Sequence, residues 1–102
     1  MKILAIFKVL EGADMERIRA LLLEEERFAW RAVLDGWLRE HYESDMPDAA
    51  ISILELESIE AARDRLQSLP LLAAGLITVE LYPLRPFRNW EVLFREEEKL
   101  LD

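Results

Sequence analysis

The sequence predicts an α+β domain in which four β-strands and two α-helices follow one another in the order β-α-β-β-α-β. Four short runs are rich in the branched and aromatic residues that are typical of strands. Two other stretches repeat apolar residues at helical spacing, and glycine, proline and helix-capping residues separate the elements. A chain of 102 residues can form one domain with a modest core. We therefore expect a single domain over 1–102, with a C-terminal tail over 83–102.

The first half of the chain supplies a strand, a long helix and a second strand. Residues 2–10 are apolar on both faces, which indicates a central strand that is covered on each side. Asp14 is placed to cap a helix from about Met15 to Leu34, which ends at Gly36, because glycine readily adopts the left-handed conformation that closes helices. The predicted buried stripe of this helix consists of Met15, Ile18, Leu22, Ala29 and Val33. Residues 36–43, in which wide side chains alternate with charged ones, form the second strand.

The next part of the chain predicts a hairpin followed by a helix. Residues 44–48 are polar and contain a proline, which is typical of a hairpin loop. Residues 49–56 then form the third strand, antiparallel to the second. Ser58 is a suitable cap for a second helix from Ile59 to about Ser68.

The last part of the chain predicts one more strand and a tail. An apolar connection over 71–75 leads into the fourth strand, 76–82. Alternation gives this strand one face of Ile77, Val79 and Leu81, which we place under the helices, and an uncovered face of Thr78, Glu80 and Tyr82. The segment 83–87 contains too much proline to continue a central strand. From Phe87 onward the helical tail carries a set of large apolar side chains: Phe87, Trp90, Leu93 and Phe94.

This order of elements is that of the ferredoxin-like split βαβ arrangement. Both helices then cover one face of a four-stranded sheet and leave the other face open. We expect that face to carry apolar area from the first and third strands, for example from Leu54 and Leu56 with Ile3, Ala5 and Phe7 or their neighbours. Exposed apolar area of this kind indicates an interface. Two such sheets packed face to face form a dimeric α+β barrel, so we expect a homodimer or larger, with the tail packed on its own domain or on a neighbouring subunit.

Composition excludes several classes of function. The formal net charge is −8 and the pI is near 4.7, which argues against nucleic acid and anionic membranes as partners. There are no cysteines and one histidine, so we expect no metal site. The apolar run at 3–7 is too short for a signal segment and nothing approaches the length of a membrane span. These observations predict a cytoplasmic protein.

The second strand and the long helix carry the candidate functional residues. Alternation places Trp37, Arg39, His41 and Glu43 on one face of the strand, and Leu38, Glu40 and Tyr42 on the other. On the helix, Glu25 and Glu26 fall within the arc of the apolar stripe, whereas Glu24 points away. A carboxylate in such a stripe must be paired, reach its rim, or have a raised pKa. Either both side chains reach the rim, or one of them is an acid or base in a pocket.

The residue types in this set suit the transfer of a proton next to a carbonyl group. Glu25 or His41 is a candidate base, Arg39 a candidate partner for a substrate carboxylate, and Tyr42 a candidate donor to an oxyanion. Structural roles are the alternative. Arg39 would then pair with Glu55 or Glu80, His41 would lie at the surface or at an interface, and Tyr42 would only pack.

The span from Gly36 to Pro83 resembles the muconolactone isomerase-like branch of the dimeric α+β barrels. The resemblance is carried by Trp-Leu-Arg-Glu-His-Tyr at 37–42, Ile-Ser-Ile-Leu-Glu-Leu-Glu-Ser at 51–58, and Leu-Pro-Leu at 69–71. The tail motif Pro-Phe-x-x-Trp-x-x-Leu-Phe, at 86–94, is like that of many small members.

The resemblance implies a cofactor-free proton shift in a small organic acid or lactone, with a pocket near a subunit interface. Arg39 lies where the isomerases also have a strand arginine, and Glu25 where they have a helix glutamate. Glu40 takes the place of a family histidine, which puts Glu40 in the expected substrate-binding set with Arg39 and Tyr42. Other branches suggest a cofactor-free monooxygenase or a cyclase-type protein that acts on a small aromatic molecule. A non-catalytic oligomeric binding or accessory module is the other alternative.

Overall fold

The computed structural model describes residues 1–95 and shows one antiparallel sheet with helices on one face. The strands lie in the order β2-β3-β1-β4, so β1 is central, as predicted, and β2 and β4 are the edges. In chain order the elements are β1 (Lys2–Val9), α1 (Met15–Asp35), β2 (Leu38–Asp45), β3 (Asp48–Glu55), α2 (Ile59–Leu66), α3 (Pro70–Ala73), β4 (Ile77–Leu84) and a 3-10 helix (Arg88–Phe94). Within this part of the chain, no helix is both long enough and apolar enough to cross a membrane.

The core lies between the sheet and the two longer helices. Ile3 and Leu54 are opposite each other on β1 and β3 and are almost completely buried. On the helix side of this core, α2 contributes Ala62 and Leu66, and α1 contributes Ala32. This layering follows from the strand pattern, because alternate residues of β1 and β3 project toward the helices.

Capping residues define both ends of α1 as the sequence predicts. The carboxylate of Asp14 accepts hydrogen bonds from the N–H groups of Glu16 at 3.0 Å and Arg17 at 3.3 Å. At the other end, Gly36 has φ 89°, in the left-handed region, and its N–H donates to the carbonyls of Ala32 and Val33. The Ser58 hydroxyl similarly caps α2.

The predicted buried stripe of α1 is wrong at three of its five residues. Met15, Leu22 and Val33 are 50%, 42% and 40% exposed, respectively. The side that faces the sheet runs instead through a set at alternating three- and four-residue spacing: Ile18, Leu21, Glu25, Phe28 and Ala32. Apolar residues are also frequent on the outer side of this helix, so their spacing does not decide which side is buried, and a glutamate lies in the middle of the true stripe.

A β-bulge in β2 changes which of its side chains face the helices. Leu38 is opposite Leu54, but Glu40 is already opposite Ile53, so Arg39 is an extra residue without a partner in β3. The predicted alternation is therefore wrong across the bulge, although Glu40 and Tyr42 share a face as predicted. His41 lies on the same face as Leu38 but stays exposed at the edge of the sheet, whereas Glu40 and Tyr42 lie on the open face.

The open face of the sheet is apolar, as expected, but different residues form it. Ile3, Ala5, Phe7, Leu54 and Leu56 all belong to the core beneath the helices. Their neighbours, Leu4, Ile6, Ile51 and Ile53, form the centre of the open face and are partly exposed. In β4 the prediction is confirmed, because Ile77, Val79 and Leu81 pack against the core.

The segments before and after β4 differ from prediction in extent. The apolar connection contains α3, a single turn with Pro70 in its first turn, where the missing N–H of proline is not needed. Strand β4 continues through Pro83 to Leu84, which an edge strand tolerates because one side of its backbone needs no partner. Beyond it, Phe87, Trp90 and Phe94 are at least 63% exposed. The remainder of the tail, 96–102, lies outside the described residues.

Candidate active site

A cavity of about 190 Å³ lies between the helices and the sheet. Its walls are mostly apolar and include the aromatic rings of Phe7, Phe28 and Trp37. Phe28 and Trp37 meet edge to face with their centroids 6.2 Å apart. Four polar side chains also line it: Glu25, Glu26, His41 and Ser52. An apolar cavity with a few convergent polar groups is typical of small-molecule sites.

Glu25 reaches the cavity from the sheet-facing side of α1. Its Oε1 accepts a hydrogen bond from the N–H of Leu71 at 2.9 Å. This contact caps α3, which has no side-chain cap of its own. Among the described residues no side-chain oxygen or nitrogen is buried without a hydrogen-bond partner. The second oxygen, Oε2, accepts no hydrogen bond from them and therefore keeps an accessible surface.

Burial raises the pKa of the Glu25 carboxyl above its ordinary value. The N–H of Leu71 counteracts this effect by stabilising the charged form, and the neighbouring charge of Glu26 adds to it. The outcome is a carboxylic acid that holds its proton to a higher pH than an exposed glutamate does. Of the two carboxylates in the predicted arc, Glu25 is the half-buried one, and Glu26 is exposed at the cavity rim.

His41 reaches the same cavity from the sheet. Its Nδ1 lies 2.7 Å from the hydroxyl oxygen of Ser52, the residue opposite it on β3. Ser52 is 1% exposed, so the hydroxyl is a fixed partner that orients the imidazole ring. If Nδ1 accepts the serine proton, Nε2 carries a hydrogen and is a donor; if Nδ1 donates, Nε2 is an acceptor. Sequence inspection missed Ser52, although a serine between the inward-facing Ala50 and Leu54 is an available signal.

Arg39, Glu40 and Tyr42 do not line this cavity. Arg39 is exposed at the bulge. Its two predicted partners are engaged otherwise: Glu55 pairs with the N-terminal amine at 3.2 Å, and Glu80 accepts from the Tyr82 hydroxyl. No ion pair found within 1–95 includes Arg39.

Glu40 and Tyr42 interact with each other on the open face of the sheet. The Tyr42 hydroxyl donates to Glu40 Oε1 at 2.9 Å, and this hydrogen bond raises the pKa of Tyr42. The structure thus brings Glu25 and His41 together, and it places the other three predicted site residues elsewhere. Over residues 1–95, no cluster of three or more His, Asp or Glu side chains is arranged to hold a metal ion.

The raised pKa of Glu25 predicts a pH-dependent effect of Glu25→Gln on stability. Between the ordinary carboxyl pKa and the raised one, the folded state binds this proton more tightly than the unfolded state does. The stabilisation from Glu25 is therefore complete at low pH and is lost as pH rises through the folded-state pKa. Glutamine keeps an oxygen for the Leu71 N–H but does not titrate. We expect the difference in the free energy of unfolding, variant minus parent, to increase as the pH rises from about 4 to about 7.

Urea unfolding at several pH values measures this difference directly. Glu24→Gln is the matched control, because Glu24 is exposed on the same helix and its substitution should give a difference that varies much less with pH. Parallel stability curves for Glu25→Gln and the parent would show that burial does not shift the pKa of Glu25.

The fold and the cavity together define a ferredoxin-like α+β protein with a small-molecule-sized site. No protein-family model and no curated protein sequence matches the chain. Among solved structures, it is similar to 5-chloro-2-hydroxyhydroquinone dehydrochlorinase (TftG) from Burkholderia phenoliruptrix AC1100, in complex with 2,5-dihydroxybenzoquinone. The similarity has a TM-score of 0.67 at 16% sequence identity and covers 87% of this chain and 98% of that one. It confirms the predicted fold.

Proposed function

We propose that this protein is a cofactor-free acid–base enzyme that moves a proton within a small cyclic molecule. The observation that carries the proposal is the position of Glu25, a carboxyl group with a raised pKa on the wall of an apolar cavity that His41 also lines. General bases work best when their pKa lies near the working pH. Burial is the usual way to raise the pKa of a carboxyl group toward that pH.

The reaction class that suits these groups is a proton shift next to a carbonyl. Ionised Glu25 removes a proton from carbon, and the electron pair of the broken C–H bond forms an enolate. Protonated Glu25 returns the proton to a second carbon, where that electron pair forms the new C–H bond. If His41 gives this proton instead, the proton held by Glu25 passes to His41 through solvent and restores both groups. The product is an isomer of the substrate, so the balance requires no oxidant, reductant or cofactor.

The imidazole has a second task in this reaction. A developing enolate oxygen needs a hydrogen-bond donor that is already oriented. With Nδ1 accepting from the Ser52 hydroxyl, Nε2–H of His41 is such a donor. A ring bound between the apolar walls would displace water from this contact and so strengthen it.

The structural neighbour supports a small ring as the ligand, since its name and complex describe a chlorinated hydroquinone and a dihydroxybenzoquinone. That name also suggests a second candidate reaction, the loss of hydrogen chloride. In such an elimination the base takes a proton and chloride leaves with the electron pair of its bond to carbon. Release of chloride from chlorinated ring compounds distinguishes it from isomerisation.

Proton exchange in heavy water tests the main proposal. Lactones, cyclic enones and hydroxyquinones are incubated with the protein in D₂O, and NMR follows the replacement of carbon-bound hydrogen by deuterium. We expect at least one ring class to exchange, or to isomerise, faster than in buffer alone. If no ring compound does so and none loses chloride, the protein is better described as a binding module.

We further propose that residues 1–102 form one domain that associates through the open face of its sheet. The centre of this face is apolar and partly exposed: Leu4, Ile6, Ile51 and Ile53. Such a surface on a small protein is an interaction site more often than a solvated one. We expect light scattering to give the mass of a dimer or larger, and Ile53→Lys to give a monomer, because a charge at the centre of the interface would be desolvated without a partner.

Leu23→Lys is the control for this experiment. Leu23 is 63% exposed on the outer side of α1, so the same chemical change there should leave the mass unaltered. A parent protein that is monomeric at every concentration would refute association through the sheet.

A further inference from the structure

Two carboxyl groups line the cavity, and residues 1–95 direct no lysine or arginine side chain into it. Glu25 and Glu26 both line the cavity. Lys8 also borders it, but Lys8 lies between Phe7 and Val9 on β1, and alternation directs its side chain to the open face of the sheet. Lys8 therefore contributes main chain, whose carbonyl accepts from the Thr78 hydroxyl at 3.5 Å.

The nearby arginines lie outside the cavity. Arg39 is exposed at the bulge of β2 and does not line it. The Arg65 guanidinium is 5.6 Å from the centre of the Trp37 ring. With Arg31 and Asp35 it lines a neighbouring surface groove, which shares Phe28, Ala32 and Trp37 with the cavity but no arginine. Apart from His41, whose Nδ1 is hydrogen-bonded to Ser52, the described residues direct no basic side chain toward the cavity.

The size of the cavity restricts its ligand to one ring. A cavity of roughly 150 Å³ with aliphatic and aromatic walls accommodates benzene, and this one measures about 190 Å³. The additional space suits a few small substituents on a single five- or six-membered ring. Phe28 and Trp37 offer such a ring two aromatic contacts.

From this layout we infer that the site selects an uncharged monocyclic compound, such as a lactone, an enone or a neutral phenol, and rejects the same ring when it bears a carboxylate. This inference rests on the proposed function, because it concerns the substrate of that site. A carboxylate would lose its hydration in an apolar cavity and would face Glu25 and Glu26 without a compensating cation. An uncharged ring has neither penalty. Arg39 was expected to bind a substrate carboxylate, but it does not line the cavity.

A matched pair of ligands tests the inference without any turnover. The probes are 4-hydroxybenzoate and its methyl ester, and a butenolide carboxylic acid with its methyl ester, measured by calorimetry or ligand-observed NMR. We expect each ester to bind at least about tenfold more tightly than its acid at neutral pH. The preference should shrink in Glu25→Gln and in Glu26→Gln, since each removes one of the repelling charges, and Glu24→Gln should retain it.

Three results would overturn the inference: acids that bind as tightly as their esters, acid binding that is lost in Arg39→Ala, or no binding of either member of both pairs. The second result would mean that an arginine reaches the ligand after all, within the chain or from a second copy. Failure of the proposed function gives a different result from failure of this inference. If the esters are preferred but never exchange protons, the selectivity stands and catalysis is refuted. If the acids are turned over, catalysis stands and the selectivity is refuted.

Discussion

Glu25→Gln is expected to slow proton transfer by about 10²- to 10⁴-fold, the range that a positioned general base contributes. Glutamine has nearly the shape of glutamate and its amide oxygen can still accept from the Leu71 N–H, so the cap of α3 is retained. What the variant lacks is a group able to take a proton from carbon. The loss should appear mainly in kcat, and NMR exchange rates at saturating substrate measure it.

Two substitutions at Glu25 separate its catalytic role from its structural role. Glu25→Ala removes the partner of a buried N–H as well as the base and should cost about 1–3 kcal/mol of stability, whereas Glu25→Gln should fold normally. Glu24→Gln on the outer side of α1 controls for helix composition and should keep full activity. Undiminished exchange in well-folded Glu25→Gln would remove Glu25 from the mechanism.

Leu54→Ala is expected to lower the free energy of unfolding by about 2–5 kcal/mol, the usual cost of emptying a leucine site in a core. Leu54 is 1% exposed and lies opposite both Ile3 and Leu38, between two strands and beneath α2. Small domains have a total stability of about 5–15 kcal/mol, so this one change removes a large part of it. Urea unfolding with a common m-value measures the loss.

Leu34→Ala is the matched control, because Leu34 is 64% exposed on α1 and its truncation should change stability by about 0.5 kcal/mol or less. Leu54 also lines the cavity, so a folded Leu54→Ala variant should accept bulkier rings than the parent. If Leu54→Ala cost no more than Leu34→Ala, the packing of β3 under α2 would be refuted.

The fold was predictable because its signals are local. Asp14, Gly36 and Ser58 define helix ends by interactions with backbone atoms a few residues away, and the structure contains each of them. The apolar density of β1 likewise indicated its central position. These features need no knowledge of the rest of the chain.

Which side of each helix and strand is buried was less predictable. Apolar residues surround much of α1, so only the position of the sheet decides that Phe28 and Ala32 pack in the core while Leu22 stays 42% exposed at the cavity. In β2, one extra residue at Arg39 reverses the alternation for every residue after it. The bulge has no signature in the sequence, and it moves His41 from the predicted face of Arg39 to the wall of the cavity.

The sequence by itself determined the α+β order of the elements and identified Glu25 and His41 as candidates, because strand pattern, capping and residue chemistry are properties of short segments. Tertiary structure decided that these two share a cavity with Ser52, while Arg39, Glu40 and Tyr42 do not. The physical reason is that burial and charge in a site depend on which surfaces meet. The packing of α1 on the sheet buries Glu25 and raises its pKa, and strand register alone brings Ser52 to His41.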